Sequence, residues 1–185
     1  MDEWKAYSKL SPDARAKDTD LICKAFTQTF ITLDEQLRDL NIKSGSTAVC
    51  SLITPSHIFT ASVGDSRSVL GQRRGQAIGM SEDHKPELVD ERNRIVKAGG
   101  FVLYDRVNGE LAMSRAMGDF QYKENKKLGV SQQMVICIPD IAVHERCDDD
   151  IVMVVACDGK LMEMYLFVCF CFSVVVLLCL YIDVV

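Results

Sequence analysis

Short β-branched and apolar runs separated by turn residues constrain this chain most, because they permit hairpins and little else. Residues 47–53 form the first run, Thr54-Pro55-Ser56-His57 turns the chain, and residues 58–63 form the second. β-Branched residues favour strands, and proline among small polar residues favours turns. Two more short runs follow at residues 68–73 and 76–80. This pattern predicts consecutive antiparallel strands.

Two segments have the period of a helix instead. Between residues 12 and 40 apolar residues recur at spacings of three and four, which marks one face of a helix. The residues on that face are Ile22, Phe26, Phe30, Leu33, Leu37 and Leu40. A second helix is predicted over residues 87–98, because Gly99-Gly100 follows as a C-terminal cap.

The second half of the chain adds further strands. Asn108-Gly109 predicts a hairpin between residues 101–104 and 110–114. Residues 151–157 are almost wholly apolar, which is typical of a central buried strand. Sequential hairpins with a few helices predict an α+β fold in which two mostly antiparallel sheets are flanked by helices.

Charge and cysteine usage narrow the class of protein. A chain of 185 residues suffices for one domain with a core. The net charge is −5 and the basic residues are scattered, so nucleic-acid binding is not expected. Eight cysteines without a C-x-x-C pair indicate free thiols in a reducing compartment. The polar opening, residues 1–5, does not resemble a signal peptide, so the body is predicted to be cytoplasmic or nuclear.

The composition changes at Leu161, which divides the chain into a body, residues 1–160, and an apolar tail, residues 161–185. Residues 165–182 carry no charge, and a run of this length is at the lower limit for crossing a bilayer. Three interpretations stay open. The tail is a membrane anchor, a buried strand pair or core helix, or the translation of an intron or shifted frame.

Five short motifs occur in a fixed order along the body. They are Ser44-Gly45-Ser46-Thr47-Ala48, Gly64-Asp65-Ser66-Arg67, Asp83-His84-Lys85-Pro86, Ser114-Arg115-Ala116-Met117-Gly118-Asp119 and Ala156-Cys157-Asp158-Gly159. In this order they resemble the PP2C (PPM) family of metal-dependent protein serine/threonine phosphatases. The resemblance extends from about residue 8 to residue 159.

The resemblance implies a fold, a reaction and a cofactor. The fold is an αββα sandwich, here incomplete at both ends. The reaction is the hydrolysis of phosphoserine and phosphothreonine in protein substrates, with two or three Mg²⁺ or Mn²⁺ ions in a complete site. The ions would generate hydroxide and stabilise charge on the phosphoryl group. The oligomeric state is not predicted.

The metal site is predicted from two of the motifs. Asp158 follows a predicted buried strand, and Gly159 lets backbone or solvent come close, although an Asp-Gly pair alone is more often a turn. The resemblance implies that Asp158 and Gly159 hold the metal pair and that Asp65 contributes to a weaker third site. Arg67 and Asp119 are candidates for supporting the site, and no catalytic residue is assigned.

Other parts of the family pattern are not in this sequence. An upstream Asp-Gly-His-Gly-Gly segment and a late Asp-Asn segment are missing. The second aspartate of the family's usual Asp-Gly-Ile-Trp-Asp run is also missing, because Lys160-Leu161-Met162 follows Asp158-Gly159. We therefore expect impaired activity from these residues alone. The alternatives are a non-catalytic, membrane-anchored pseudophosphatase or binding protein, and a gene fragment without a function of its own. His84 is expected to be structural, and His57 and His144 to have no chemical role.

Overall fold

The computed structural model describes residues 19–157 and the backbone of residues 167–170 and 175–182. Its helices are α1 (Thr19–Asp39) and α2 (Val89–Lys97). Its strands are β1 (Gly45–Ile53), β2 (His57–Val63), β3 (Arg67–Gln72), β4 (Ala77–Gly79), β5 (Val102–Leu103), β6 (Arg106–Val107), β7 (Met117–Gly118), β8 (Asp140–Glu145), β9 (Asp150–Ala156), β10 (Phe167–Phe170) and β11 (Val175–Ile182).

Two antiparallel sheets organise these strands. The first sheet has the order β11-β1-β2-β8, with β7 beside the start of β1. The second sheet has the order β10-β9-β3-β4. Every strand pair within the two sheets is antiparallel. The predicted α+β fold with two mostly antiparallel sheets is therefore confirmed.

The core between the sheets follows from the alternation of residues along each strand. Successive side chains point to opposite faces of a sheet, so every second residue of β1 and β2 faces the second sheet. Ser51 and Thr60 lie buried among them, and their hydroxyls share a hydrogen bond of 2.9 Å, so neither is left unpaired. The apolar members of this inner core are Val49, Ile53, Ile58, Leu70, Met80, Met153 and Val155.

Helix α1 covers the outer face of the first sheet. Ile22, Phe26 and Phe30 are buried against it, as the spacing predicts. Leu33 and Leu40, predicted on the same face, are 42% and 71% exposed. The prediction was wrong for these two because the buried stripe runs at four-residue spacing and the helix ends at Asp39.

Helix α2 belongs to a third, smaller cluster beside the β5–β6 hairpin. Its Ile95 is fully buried, and Gly99 follows the helix with a φ of 98°, which confirms the predicted glycine cap. The buried members of the cluster are Ile95, Val107, Ala116, Tyr122 and Val135.

The hairpin is centred not on Asn108-Gly109, as predicted, but four residues earlier. Strands β5 and β6 are joined by Tyr104-Asp105, whose φ angles are 51° and 58°. Asn108-Gly109 forms the next tight turn, which a single bridge between Val107 and Leu111 closes. The turn signal was correct, but burial of Val107 in the third cluster sets the strand pairing.

Strand β9 lies inside the second sheet, between β10 and β3. Its Met153 and Val155 are fully buried, whereas Ile151 is 44% exposed. The prediction of a central strand is confirmed, and the prediction that the whole run is buried was wrong. β9 buries one face, so its residues alternate.

The described part of the apolar tail consists of strand backbone. β10 pairs with β9, and β11 pairs with β1 along eight residues, from Ser46↔Ile182 to Ile53↔Val175. None of the described helices combines the length and apolarity that crossing a bilayer requires.

Candidate functional site

The turn after β2 carries Asp65 and packs against the start of β1. Gly64 has a φ of 95°, a backbone conformation that residues other than glycine rarely adopt. A Cβ atom at this position would lie 2.4 Å from Thr47 Cγ2. The hydroxyls of Thr47 and Ser66 share a buried hydrogen bond of 2.7 Å. Residues of β1 therefore fix the position of the Asp65 turn.

His84 holds the same turn through hydrogen bonds to Gly64. It is 2% exposed, and its backbone N–H donates to the carbonyl of Gly64 at 2.9 Å. With the ring proton on Nε2, Nδ1 accepts from the Gly64 N–H at 3.1 Å, and Nε2 donates to Asp140 Oδ2 at 3.2 Å. This environment agrees with the expected structural role of His84.

Asp65 lies at a pocket of about 310 Å³. Its side chain is 11% exposed and accepts a short charged hydrogen bond from Lys85 Nζ. Asp83 accepts two hydrogen bonds of 2.8 Å from the guanidinium of Arg67. These hydrogen bonds, with the charges of Arg67 and Lys85, outweigh burial and lower the pKa of Asp83. Each of the two carboxylates is thus paired with a cation.

The end of β9 reaches this pocket. Ala156 pairs with Arg67 in the β3–β9 ladder, and Ala156 and Cys157 line the pocket beside Asp65. Asp158 and Gly159, the predicted metal-binding residues, lie outside the described residues.

Asp119 lies at another turn beside β1. It has a φ of 50°, and the preceding Gly118 pairs with Gly45 at the first position of β1. A Cβ atom on Gly45 would lie only 1.9 Å from Asp119 Oδ2, so the glycine leaves the space that this carboxylate occupies. Gly45 contacts the Asp119 turn, and Thr47, two residues on, contacts the Asp65 turn.

A buried ion pair holds the Asp119 turn against α1. Asp34 accepts from the Gly118 N–H at 2.7 Å and from Lys123 Nζ at 2.8 Å. Lys123 is 6% exposed and also donates to the carbonyl of Ala116. Burial outweighs the charge of Asp34 and lowers the pKa of Lys123. No local pattern in the sequence pairs Asp34 with Lys123, although Asp34 continues the four-residue spacing of Phe26 and Phe30.

A second buried network lies behind His84. Glu91 is 4% exposed and contacts Arg94 Nη1 and Arg115 Nη2, each at 2.8 Å. Burial would raise the pKa of Glu91, but hydrogen bonds from Arg115 and Ser114 and the two charges lower it below its ordinary value. Glu91 therefore joins α2 to the Ser114–Asp119 motif.

Arg115 extends this network to β8. Its Nη1 lies 2.7 Å from Asp140 Oδ1, and the other oxygen of Asp140 accepts from His84. The hydrogen bond from His84, followed by the charge and hydrogen bond of Arg115, lowers the pKa of Asp140 despite burial. Sequence reasoning did not find Glu91 or Asp140, because an isolated carboxylate gives no local signal.

The pocket offers carboxylate oxygens, which are the type of ligand that hard divalent cations prefer. Mg²⁺ and Mn²⁺ prefer carboxylate oxygens, and Asp65 offers one beside the end of β9. Such an ion would replace Lys85 as the partner of Asp65. Within residues 19–157 no set of three ligand side chains converges on this pocket, so an ion held here would need further ligands.

Comparison with known proteins is consistent with these motifs. The family model described as "Protein phosphatase 2C" matches residues 3–164. Protein phosphatase 2C homolog 2 of Hypocrea jecorina is 51% identical over 116 residues, which are 63% of this chain and 26% of that protein. Protein phosphatase ppm-1.A of Caenorhabditis elegans is 45% identical over 142 residues, 75% of this chain and 30% of that protein. The chain therefore spans less than a third of each of these two relatives.

Solved structures give the same picture of the fold. A phosphatase from Toxoplasma gondii superposes with a TM-score of 0.64 at 26% identity, over 74% of this chain and 58% of that one. A serine-threonine phosphatase 2C from the same organism gives a TM-score of 0.68 at 22% identity, over 85% of this chain and 58% of that one. The second comparison supports the fold alone.

Proposed function

Because this chain belongs to the protein phosphatase 2C family, we propose that it is part of a protein serine/threonine phosphatase that hydrolyses phosphomonoesters on proteins. The match over residues 3–164 is the observation that carries this proposal. Phosphoserine and phosphothreonine proteins are the proposed substrates, and the body, residues 1–160, is the proposed phosphatase segment.

The proposed metal ligands are Asp158, the backbone of Gly159, and Asp65. When bound, Mg²⁺ or Mn²⁺ would supply a hydroxide nucleophile and neutralise charge on the phosphoryl group. The pocket supports this assignment because Asp65 and the end of β9 line it together. Arg67 and Asp119 are proposed to support the site rather than to contact the substrate's phosphorus.

Lys85 and Arg67 neutralise the carboxylates of the pocket when no metal is bound. Lys85 pairs with Asp65, and Arg67 pairs with Asp83, so each carboxylate is held in place by a cation. Both basic residues also line the pocket, together with the two carboxylates that they neutralise. Arg67 is 70% exposed, so its guanidinium can be approached from solvent.

These residues alone provide fewer ligands than a metal pair requires. Mg²⁺ keeps several water ligands but is usually held by one or two carboxylates per ion, and for the metal pair the proposed set supplies only Asp158 and the Gly159 backbone. We therefore expect slow turnover from the isolated chain. The tail, residues 161–185, is assigned no part in catalysis.

The test combines metal binding with turnover on the purified 185-residue chain. Titration followed by the electron paramagnetic resonance of free Mn²⁺ measures affinity, and phosphate release from a phosphothreonine peptide measures activity. We expect Asp158→Asn to abolish Mn²⁺-dependent release and Asp65→Asn to weaken Mn²⁺ binding. Asp148→Asn, an exposed carboxylate before the opposite end of β9, is the matched control.

Circular dichroism of each variant verifies folding. A folded chain that neither binds Mn²⁺ nor releases phosphate would contradict the assignment. Equal turnover by the chain and by Asp158→Asn would contradict the role of Asp158.

A further inference from the structure

Three side chains of different chemistry meet at the other end of β9. Asp150 is the first residue of that strand, His144 lies on β8, and Cys147 lies in the loop that joins the two strands. One potential ligand atom from each lies within 4.8 Å of the other two. Their spacing along the chain, His-x-x-Cys-x-x-Asp, is also regular.

Two of the three distances between ligand atoms are close to those of a tetrahedral zinc site. His144 Nε2 lies 3.2 Å from Asp150 Oδ1, and Cys147 Sγ lies 3.6 Å from the same oxygen. Typical zinc bond lengths at a tetrahedral angle place nitrogen and oxygen ligands about 3.4 Å apart, and sulfur and oxygen ligands about 3.6 Å apart. The third pair, His144 Nε2 and Cys147 Sγ, lies within 4.8 Å, so the exposed Cys147 side chain would move toward the ion to complete the site.

Asp150 is held ready by neutral donors. Its side chain is 1% exposed and accepts from Gln72 Nε2 at 2.7 Å and from the Cys147 N–H at 3.0 Å. Burial would raise the pKa of Asp150, but these hydrogen bonds and the one from His144 lower it. Among residues 19–157, no lysine or arginine forms an ion pair with this carboxylate.

Cys147 leaves the cluster open on one side. It is exposed and forms no disulfide within the described residues. A thiolate, an imidazole and a carboxylate together select Zn²⁺ over Mg²⁺ or Mn²⁺, which prefer oxygen alone. The open side leaves the fourth position of a tetrahedral ion to water.

We propose that His144, Cys147 and Asp150 form a Zn²⁺ site that links the two sheets. β8 belongs to the first sheet and β9 to the second, so the ion joins the sheets at the end opposite the Asp65 pocket. Gln72 orients Asp150 from β3. On binding, the thiol of Cys147 loses its proton to solvent, and the proton of the His144 ring moves to Nδ1 so that Nε2 binds the metal. Under this proposal His144 would have a chemical role, which the sequence alone did not lead us to expect.

Co²⁺ and Zn²⁺ are the probes for this site. The full chain is titrated with Co²⁺ in excess Mg²⁺, which occupies sites made of oxygen ligands, and Zn²⁺ is then added as competitor. We expect one Co²⁺ per chain with a thiolate-to-cobalt absorption band, displaced by one Zn²⁺. Zn²⁺ in about hundredfold excess over its Kd should raise the Tm by about 5 °C.

The variants separate this cluster from the other cysteines. Cys147→Ser should remove the absorption band and weaken Zn²⁺ binding at least a hundredfold, and His144→Gln should weaken it at least tenfold. Cys23→Ser, a partly buried cysteine on α1, is the matched control and should bind as the unmodified chain does. A band that persists in Cys147→Ser, or the absence of any band in the unmodified folded chain, would overturn the proposal.

Discussion

The carboxylates at the two ends of β9 have different kinds of partner. At the pocket end, near Cys157, Asp65 and Asp83 each contact a lysine or arginine. At the cluster end, Asp150 contacts an imidazole, an amide and a backbone N–H. A cation that binds at the pocket end must displace a lysine or arginine side chain from its carboxylate. A cation that binds at the cluster end displaces neither kind of side chain. Acidic residues at one sheet thus mark two different kinds of site.

The largest effect is expected when the buried carboxylate next to the pocket end loses its charge. Glu91→Gln removes the carboxylate that Arg94 and Arg115 share. Among the described residues Arg115 then keeps only the carboxylate of Asp140, so we expect a loss of about 3 kcal/mol in unfolding free energy. Urea denaturation measures it. Glu87→Gln, an exposed residue just before α2, is the control and should change little. Equal stability of the two variants would show that the network does not hold this end together.

A smaller effect is expected from the backbone of the Asp65 turn. Gly64→Ala combines a positive φ with a close approach to Thr47 and should cost about 2 kcal/mol. Gly79→Ala is the matched control, because its Cβ would meet no atom within 4 Å. Thermal unfolding of both variants tests this. If Gly64→Ala unfolds at the temperature of the control, the turn is not constrained as described.

The smallest effect is expected on the stability of the folded chain at acidic pH. The pKa of Asp140 is lower in the folded chain than in the unfolded chain, so its stabilising effect is full above the unfolded value. That effect is lost as the pH falls through the folded value. Asp140→Asn should therefore flatten the decline of stability below about pH 4.

Denaturation with a chelator present, at several acidic pH values, checks this prediction. Asp148→Asn, exposed near the cluster end, should leave the decline unchanged. A decline in Asp140→Asn as steep as in the unmodified chain would contradict the role of the His84 and Arg115 contacts.

Local signals predicted the strands and turns well. The Pro55 turn and the β-branched runs beside it place β1 and β2 within two residues of their observed bounds. These features depend on neighbours in sequence, which is why a pattern can find them. Leu33 shows the limit, because the periodicity gives a helix face but not the exact stripe that packs.

Long-range polar pairs could not be predicted in this way. Asp34 and Lys123 are 89 residues apart, and each resembles an ordinary surface charge in sequence. His144, Cys147 and Asp150 are close in sequence, but their side chains converge only because the chain reverses between two sheets. Such sites depend on topology, and topology is what periodicity leaves undetermined.

The pairing of β1 with β11 has a consequence for how the chain folds. Its partners are more than a hundred residues apart, whereas β1 and β2 are joined by a turn of three residues. Closing a long loop costs more entropy, and during synthesis the N-terminal partner emerges first. The β1–β2 hairpin can therefore form on the ribosome while the other edge of β1 still waits for its neighbour. In that interval the edge is available to any other extended segment, including one from another nascent chain.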